Sequence, residues 1–397
     1  MTPLNSTVIL SVTFFSMSCM PFAFQKKMFT ISQKRIESEN LKGVFLCPLR
    51  GIKGKTETKS SAIDAISPVD PIKFEHEHLI TKSCKSKKDN AFSLFLHNWK
   101  KYHTKRVAVG TVSREDNGSA FGQEYLSCSQ PDLPFLEWLI GFTEGDGCFF
   151  INNRNSLAFV LIQGEASLPV LKTIKEKLGM GRIIKQGKRV FRFIIEKRDE
   201  IQLIIYLFNG NLVLASRKTQ FKKFFDCFLE KRNKKKGPWL LDFVCFKGKP
   251  VFYLNRFNIP SPSSLWLLGF TEAEGCFTIS FLFSSHVFRT RFIISQKGDE
   301  NVKTLSSLIL FFGVGRIEAH SVKQNYSYIV SGLKNVKKVY NYFDSNLEHF
   351  LGNKKNSYLK WKDINRKIEQ KEHLDKEKRR VLIETAKQIN SVSRKSK

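Results

Sequence analysis

The phrase "GFTEGDGCFF" at residues 141–150 returns as "GFTEAEGCFT" at 269–278. Three further echoes follow it in the same order. Gln163 in "FVLIQG" matches Gln296 in "FIISQKG", "GMGRI" at Gly179–Ile183 matches "GVGRI" at Gly313–Ile317, and "SRK" at Ser216–Lys218 matches "NKK" at Asn353–Lys355. The offset between copies grows slowly along the chain, from 128 to 137 residues, as small loop insertions accumulate. Ordered echoes of this kind mark an internal duplication, and a duplication dictates architecture more firmly than any local propensity. Each copy reads as a helix, two strands, a helix, two strands and closing helices. In the first copy the motif helix is followed by strands near Cys148–Ile151 and Ala158–Gln163 and a helix over Leu168–Leu178. Strands near Arg182–Lys185 and Val190–Ile195 come next, then helices near Glu200–Phe208 and Lys218–Arg232.

The repeated phrase carries its own physical demands. Small residues stand four apart in each copy, Gly141 and Gly145, then Gly269 and Ala273. Glycine inside a helix costs about 1 kcal/mol relative to alanine, and a close approach of two helix backbones is the natural compensation. Each helix then runs into an acid followed by glycine, Asp146–Gly147 and Glu274–Gly275, where the glycine suits a left-handed C-cap. Acids here have the wrong sign for a helix C-terminus, so Glu144, Asp146, Glu272 and Glu274 should each be destabilising. Side-by-side packing of the two helices also brings Asp146 towards Glu274. A divalent cation reverses the sign, with water and phosphate oxygens completing its shell.

These residues resemble the two motifs of single-chain LAGLIDADG homing endonucleases, "LIGFTEGDG" and "LLGFTEAEG", and the resemblance covers roughly residues 131–370. It implies an α+β fold of two pseudo-symmetric αββαββα halves, with motif helices at the interface and antiparallel sheets forming a DNA-binding saddle. Thr143 and Thr271 stand where the name-giving motif has Ile. By resemblance Asp146 and Glu274 are the metal-binding catalytic acids, and Mg2+ is the implied ion. Gln163 and Gln296 match the polar strand-end residues that organise active-site water. The basic pairs Arg217/Lys218 and Lys354/Lys355 match the lysine position near the scissile phosphates. Lys218 and Lys354 are taken as the catalytic members, although the sequence does not say which of each pair reaches in.

Charge points to the same partner. The chain of 397 residues carries 66 Lys and Arg against 36 Asp and Glu, a formal +30, which predicts a polyanionic partner with nucleic acid first. A membrane surface or ribosomal RNA would satisfy charge alone; double-stranded DNA is what the resemblance implies. Alternation along the strands places Arg182, Gln186, Arg192, Arg289, Arg291, Arg316 and His320 on the face away from the core, where Arg and Gln suit base edges or phosphates. The expected organisation is an accessory or loosely ordered extension over 1–130, a first repeat over 131–235, a linker over 236–260, a second repeat over 261–370 and a basic helix and tail over 371–397. None of the eight cysteines forms a CxxC pair, so they read as reduced thiols, with Cys148 and Cys276 at core positions of strand starts.

The apolar run Val8–Phe24 is broken by Pro21 and lacks a basic n-region, so neither a secretory signal nor stable membrane association is expected. Met1–Gln25 contains no Arg, which argues against an import presequence. The 36 Phe beside many Lys and Ile suggest an AT-rich organelle gene. The expectation is therefore a monomeric enzyme promoting intron mobility, made in the mitochondrion, with the chloroplast as alternative. The rival on the same fold is an RNA maturase that binds its host intron. A maturase does not need the two acids, which this chain keeps.

Overall fold

The computed structural model describes residues 92–105, 129–234, 251–282, 285–320 and 322–390, all within one unit spanning Lys87–Lys397. The apolar run Val8–Phe24 lies outside the described residues. Helix α1 occupies 92–105. The first half then runs α2 (Leu133–Asp146), β1 (Gly147–Ile151), β2 (Leu157–Gly164), α3 (Leu168–Leu178), β3 (Arg182–Gly187), β4 (Val190–Ile195), α4 (Arg198–Phe208) and α5 (Ala215–Lys234). The second half runs α6 (Trp266–Glu274), β5 (Gly275–Phe281), β6 (Phe288–Lys297), α7 (Val302–Phe312), β7 (Arg316–Ala319) and β8 (Asn325–Ser331). It closes with the short helices α8 (Leu333–Val336) and α9 (Tyr340–Asp344), then α10 (Lys354–Glu369) and α11 (Lys376–Lys387).

Each half builds one four-stranded antiparallel sheet, and the two orders correspond: β1-β2-β4-β3 and β5-β6-β8-β7. Register follows the alternation in the sequence. Phe159 pairs with Ile195 and Leu161 with Phe193 on the core face, while Ile162 pairs with Arg192 on the other. In the second sheet Phe292 pairs with Val330 on the core face and Arg291 with Ser331 on the other. The α+β fold is the one that the resemblance implies, and its repeated element order is the one read from the duplication.

The repeated Gly-x-Gly has two separate causes. Gly179 and Gly313 end α3 and α7 in the left-handed region, both at φ 61°. The second glycine of each pair lies under a ring, where a Cβ would meet Phe193 at 2.6 Å or Tyr328 at 2.4 Å.

Helix α1 is more than a piece of a loose extension. Phe95 is fully buried with Trp99 and Tyr102 close behind it, the Trp99 indole donates to the Leu178 carbonyl at 2.8 Å, and the Tyr102 hydroxyl donates to Glu200 at 2.9 Å. Residues 92–105 thus join the core of the first half. Helix α11 likewise packs on β5 through buried Leu382, with Arg379 donating to the carbonyls of Leu282 and Ser285.

Candidate active site

α2 and α6 pack more closely than any other pair of elements outside the sheets, and their sequences explain why. Both helices are buried on nearly every side, so an apolar stripe on one face would not suffice. A Cβ on Gly141 would lie 1.9 Å from the Trp266 carbonyl oxygen, and one on Gly269 would lie 1.9 Å from that of Trp138. A Cβ on Gly145 would meet the Ala273 Cβ at 2.3 Å. The small residues are where the backbones touch.

The glycines that end the helices depart from the expected left-handed cap. Gly147 sits at φ −88° and Gly275 at φ −71°, both extended. Space is the reason for glycine there, since a Cβ would meet the methyl of Thr143 at 2.4 Å or of Thr271 at 2.5 Å. The chain leaves each helix and enters its first strand without a turn, so Asp146 and Glu274 lie at the helix–strand junctions.

Around these two acids the echoes of the duplication converge. The Gln163 amide donates to Asp146 Oδ2 at 2.7 Å, and Gln296 hydrogen-bonds Glu274. Lys354 donates to the Gly275 carbonyl at 2.7 Å. The matching residue in the first half is Arg217, which donates to the carbonyls of Glu144 at 2.7 Å and Gly145 at 2.8 Å. There the cation answers the negative end of α2. Lys218 points elsewhere, donating to the Arg256 carbonyl at 2.8 Å beside the Phe257 ring. Arg217 therefore stands at the acids in the place the sequence reading gave to Lys218, because the register of α5 turns one residue inward and the next towards the linker.

Electrostatics single out the same pair. Burial raises the Asp146 carboxyl from 3.8 to about 6, against the hydrogen bond from Gln163 and the charges of Lys354 and Arg217. Burial and then the Asp146 charge raise Glu274 from 4.5 to about 8. By exposed surface both acids are half-buried, and two desolvated carboxylates that repel each other form a hard-oxygen donor set for a divalent cation. Among the described residues no group of three or more His, Cys, Asp or Glu could hold a metal. The two acids fit such an ion if water and substrate oxygens supply the remaining ligands.

Glu144 and Glu272 behave differently from the expected uncompensated acids. Each accepts from two backbone N–H groups: Val213 at 2.8 Å and Leu214 at 2.7 Å for Glu144, Leu351 at 2.7 Å and Gly352 at 2.6 Å for Glu272. Burial still raises both to about 7, opposed by those bonds. No metal is needed to account for them. Their signal in the sequence was the repeat alone, since their partners lie far along the chain.

The four raised carboxyls each contribute a pH dependence to stability. Each binds its proton more tightly in the folded chain than in the unfolded one, so the folded state holds more protons between about pH 4.5 and about pH 8. Stability of the metal-free chain is expected to fall as pH rises through that window. A divalent cation should raise the unfolding temperature far more at pH 8 than at pH 5. Equal stabilisation by the cation at both values would contradict the placement of the acids.

The strand residues expected to face DNA are spread over the faces of the sheets away from the core. Arg182, Gln186, Arg289, Arg316 and His320 are exposed, while Arg192 and Arg291 are half-buried. Gln186 falls in a register shift between Lys185 and Gly187, and it accepts from Arg192 Nε at 3.2 Å. Arg182 pairs with Glu196 and Arg316 with Glu318, so both must exchange an ion pair to bind phosphate. Arg291 Nε is buried without a hydrogen-bond partner. Cys148 belongs with this outer face, not with the main core. It packs beside a small apolar cluster of Ala158, Val160 and Ile194. Cys276 is likewise only half-buried, and no described cysteine is in a disulfide.

Comparison with known proteins places the same segments. The sequence profile described as LAGLIDADG endonuclease matches residues 139–228 and 267–365. A probable intron-encoded endonuclease of Neurospora crassa is 31% identical over 262 residues, 64% of this chain and 44% of that protein. The chain thus spans under half the length of this relative. Intron-encoded RNA maturase bI4 of Saccharomyces cerevisiae is 24% identical over 41% of this chain and 22% of its own length. Among solved structures, the LAGLIDADG meganuclease I-AabMI bound to uncleaved DNA is 25% identical, with a TM-score of 0.53, covering 64% of this chain and 99% of that one.

Proposed function

Because this chain belongs to the LAGLIDADG endonuclease family, we propose that it is a site-specific double-strand DNA endonuclease that promotes the mobility of the group I intron encoding it. The observation that carries this reading is the pair of half-buried, desolvated and mutually repelling carboxylates, Asp146 and Glu274, at the ends of two glycine-packed helices. A chain that only binds nucleic acid gains nothing from keeping two such acids together. A divalent cation, which we propose is Mg2+, would be held by these carboxylates and would supply Lewis-acid stabilisation of the attacking and leaving oxygens.

The other roles fall to the chain. Gln163 and Gln296 orient the two carboxylates, and their remaining amide donors and acceptors can hold water. Arg217 and Lys354 bring positive charge to the acids and oppose negative charge building on the phosphate. Two motifs within one chain make the interface internal, so the enzyme acts as a monomer on duplex DNA. No helix among the described residues is long and apolar enough to cross a membrane. The fungal, intron-encoded relatives fit synthesis in the mitochondrion and lend no support to the chloroplast.

Base reading by the outer sheet faces has a separable signature. Arg192→Ala or Arg291→Ala should cost about 1–3 kcal/mol on the cognate duplex and relax preference at one or two base positions. Arg182→Ala and Arg316→Ala should cost less, because each first gives up its carboxylate partner. Log affinity should fall with log salt at a slope of about −0.9 per phosphate contacted. Titration against cognate and scrambled duplexes measures both. Equal losses on the two duplexes would overturn base reading, and tighter binding to intron RNA than to any duplex would favour a maturase.

A further inference from the structure

Four side chains that the chemistry above does not use, three of them buried and Glu272 half-buried, form two reciprocal pairs across the helix interface. The Trp266 indole N–H, from the second motif helix, donates to Glu144 Oε2 in the first. The Trp138 indole N–H, from the first motif helix, donates to Glu272 Oε1 in the second at 3.1 Å. Glu144 and Trp266 are fully or nearly fully buried, as is Trp138. Each carboxylate passes the contact on through its other oxygen or the same one, to the backbone N–H groups of Val213 and Leu214 or of Leu351 and Gly352. These residues immediately precede the helices that carry Arg217 and Lys354. So the tryptophan of one half holds the carboxylate that holds the loop bearing the other half's cation.

A second tie at the next residue repeats the crossing. Asn301 of the second half donates to the Ser216 hydroxyl at 2.9 Å and accepts from the Ser216 N–H at 3.3 Å. Asn353 donates to the Ala166 carbonyl of the first half at 3.1 Å. Simple helix capping would not require either tie to leave its own half. A brace within one half would have served stability equally well.

We infer that Trp266–Glu144 and Trp138–Glu272 are positioning pairs that set the placement of Arg217 and Lys354, respectively, each from the opposite half of the chain. The inference rests on the endonuclease reading. Its consequence is that damage to a tryptophan in one half appears in the chemistry served by the other half's cation. A displacement of the order of an ångström at a catalytic cation changes a rate by about tenfold to a hundredfold.

The test follows the two strands separately on the duplex that the wild-type chain cuts, with each strand carrying its own end label. Arg217→Ala and Lys354→Ala first assign each cation to the strand it serves more. Trp266→Phe keeps an aromatic ring but removes the indole donor together with the pyrrole part of a buried side chain, whereas Glu144→Gln keeps the volume and changes only the acceptor. Both should slow the strand assigned to Arg217 by about tenfold, with the other strand changed little. Trp138→Phe and Glu272→Gln should slow the opposite strand. The loss should fall on kcat, with KM for the duplex unchanged. The double variant Glu144→Gln/Trp266→Phe should recover part of the rate lost by Glu144→Gln, since the new amide N–H no longer opposes an indole N–H. Equal slowing of both strands by all four single variants, or Trp266→Phe slowing the strand assigned to Lys354, would overturn the crossed positioning.

A second measurement needs no cleavage. In chain carrying 15N-labelled tryptophan, whose five indoles are assigned by single replacement, Glu144→Gln should shift the Trp266 indole resonance and Glu272→Gln that of Trp138. Unmoved indole resonances would overturn the pairs themselves. A wild-type chain that cuts no duplex would overturn the endonuclease reading, and with it the strand consequence, while the indole result still decides the pairs.

Discussion

Asp146→Asn and Glu274→Gln are each expected to lower double-strand cleavage by about a thousandfold or more while leaving duplex affinity within about twofold of wild type, because removing a metal ligand removes several kcal/mol from the transition state and no phosphate contact. A generally damaged protein would behave otherwise. Asp146 is the neighbour whose charge raises Glu274, and burial penalises both acids when ionised. Neutralising Asp146 should therefore relieve Glu274, and the metal-free Asp146→Asn chain should unfold at a temperature equal to or above wild type near pH 8. Its stabilisation by divalent cations should shrink as one of two ligands is lost. Cleavage near the wild-type rate by both variants would remove the acids from the mechanism. A large fall in stability would mean that they hold the helices together, in place of the ion.

Gly141→Ala and Gly269→Ala should each destabilise the chain by about 3 kcal/mol or more, the upper end of what overpacking costs, because the obstacle is backbone and cannot rotate away. The added methyl would lie 1.9 Å from a carbonyl oxygen of the opposing helix in either case, and relief requires α2 and α6 to separate. Separation would also pull apart Asp146 and Glu274, so cleavage should fall together with stability. Gly187→Ala is the matched control, since nothing lies within 4 Å of its added methyl. Denaturant unfolding of the three variants gives the comparison. Unchanged midpoints for Gly141→Ala and Gly269→Ala would mean that the helices do not meet at these residues.

What the sequence made legible was what the duplication repeats. The repeated small residues were enough to read a close helix pair with an acid at each helix end, the alternation gave the strands, and the two-sheet arrangement came from the family resemblance. Contacts between distant segments left no such trace. Trp138 and Glu272 are far apart in the chain, and nothing in either residue announces an indole donating to a carboxylate across an interface. Arg217 and Lys218 are adjacent and both basic, so composition could not choose between them. The choice is made by the phase of α5 against the end of α2, which a single sequence does not contain. The left-handed cap expected at Gly147 was the right residue for another reason, a crowded Thr143. Helix α1 was placed within the accessory extension, because its partners, Leu178 and Glu200, belong to a half that begins only after it.

If one chain cuts both strands of a duplex through Asp146 and Glu274 with a divalent cation, the proposed homing reaction can be run with the full chain, a duplex spanning the junction of the two exons that its intron would separate, and either Mg2+ or a chelator. Both strands should be cut at one fixed position with Mg2+, neither with chelator, and the duplex still interrupted by the intron should survive in both. An uncut junction duplex in the presence of Mg2+, with tight binding to the intron RNA instead, would contradict the account.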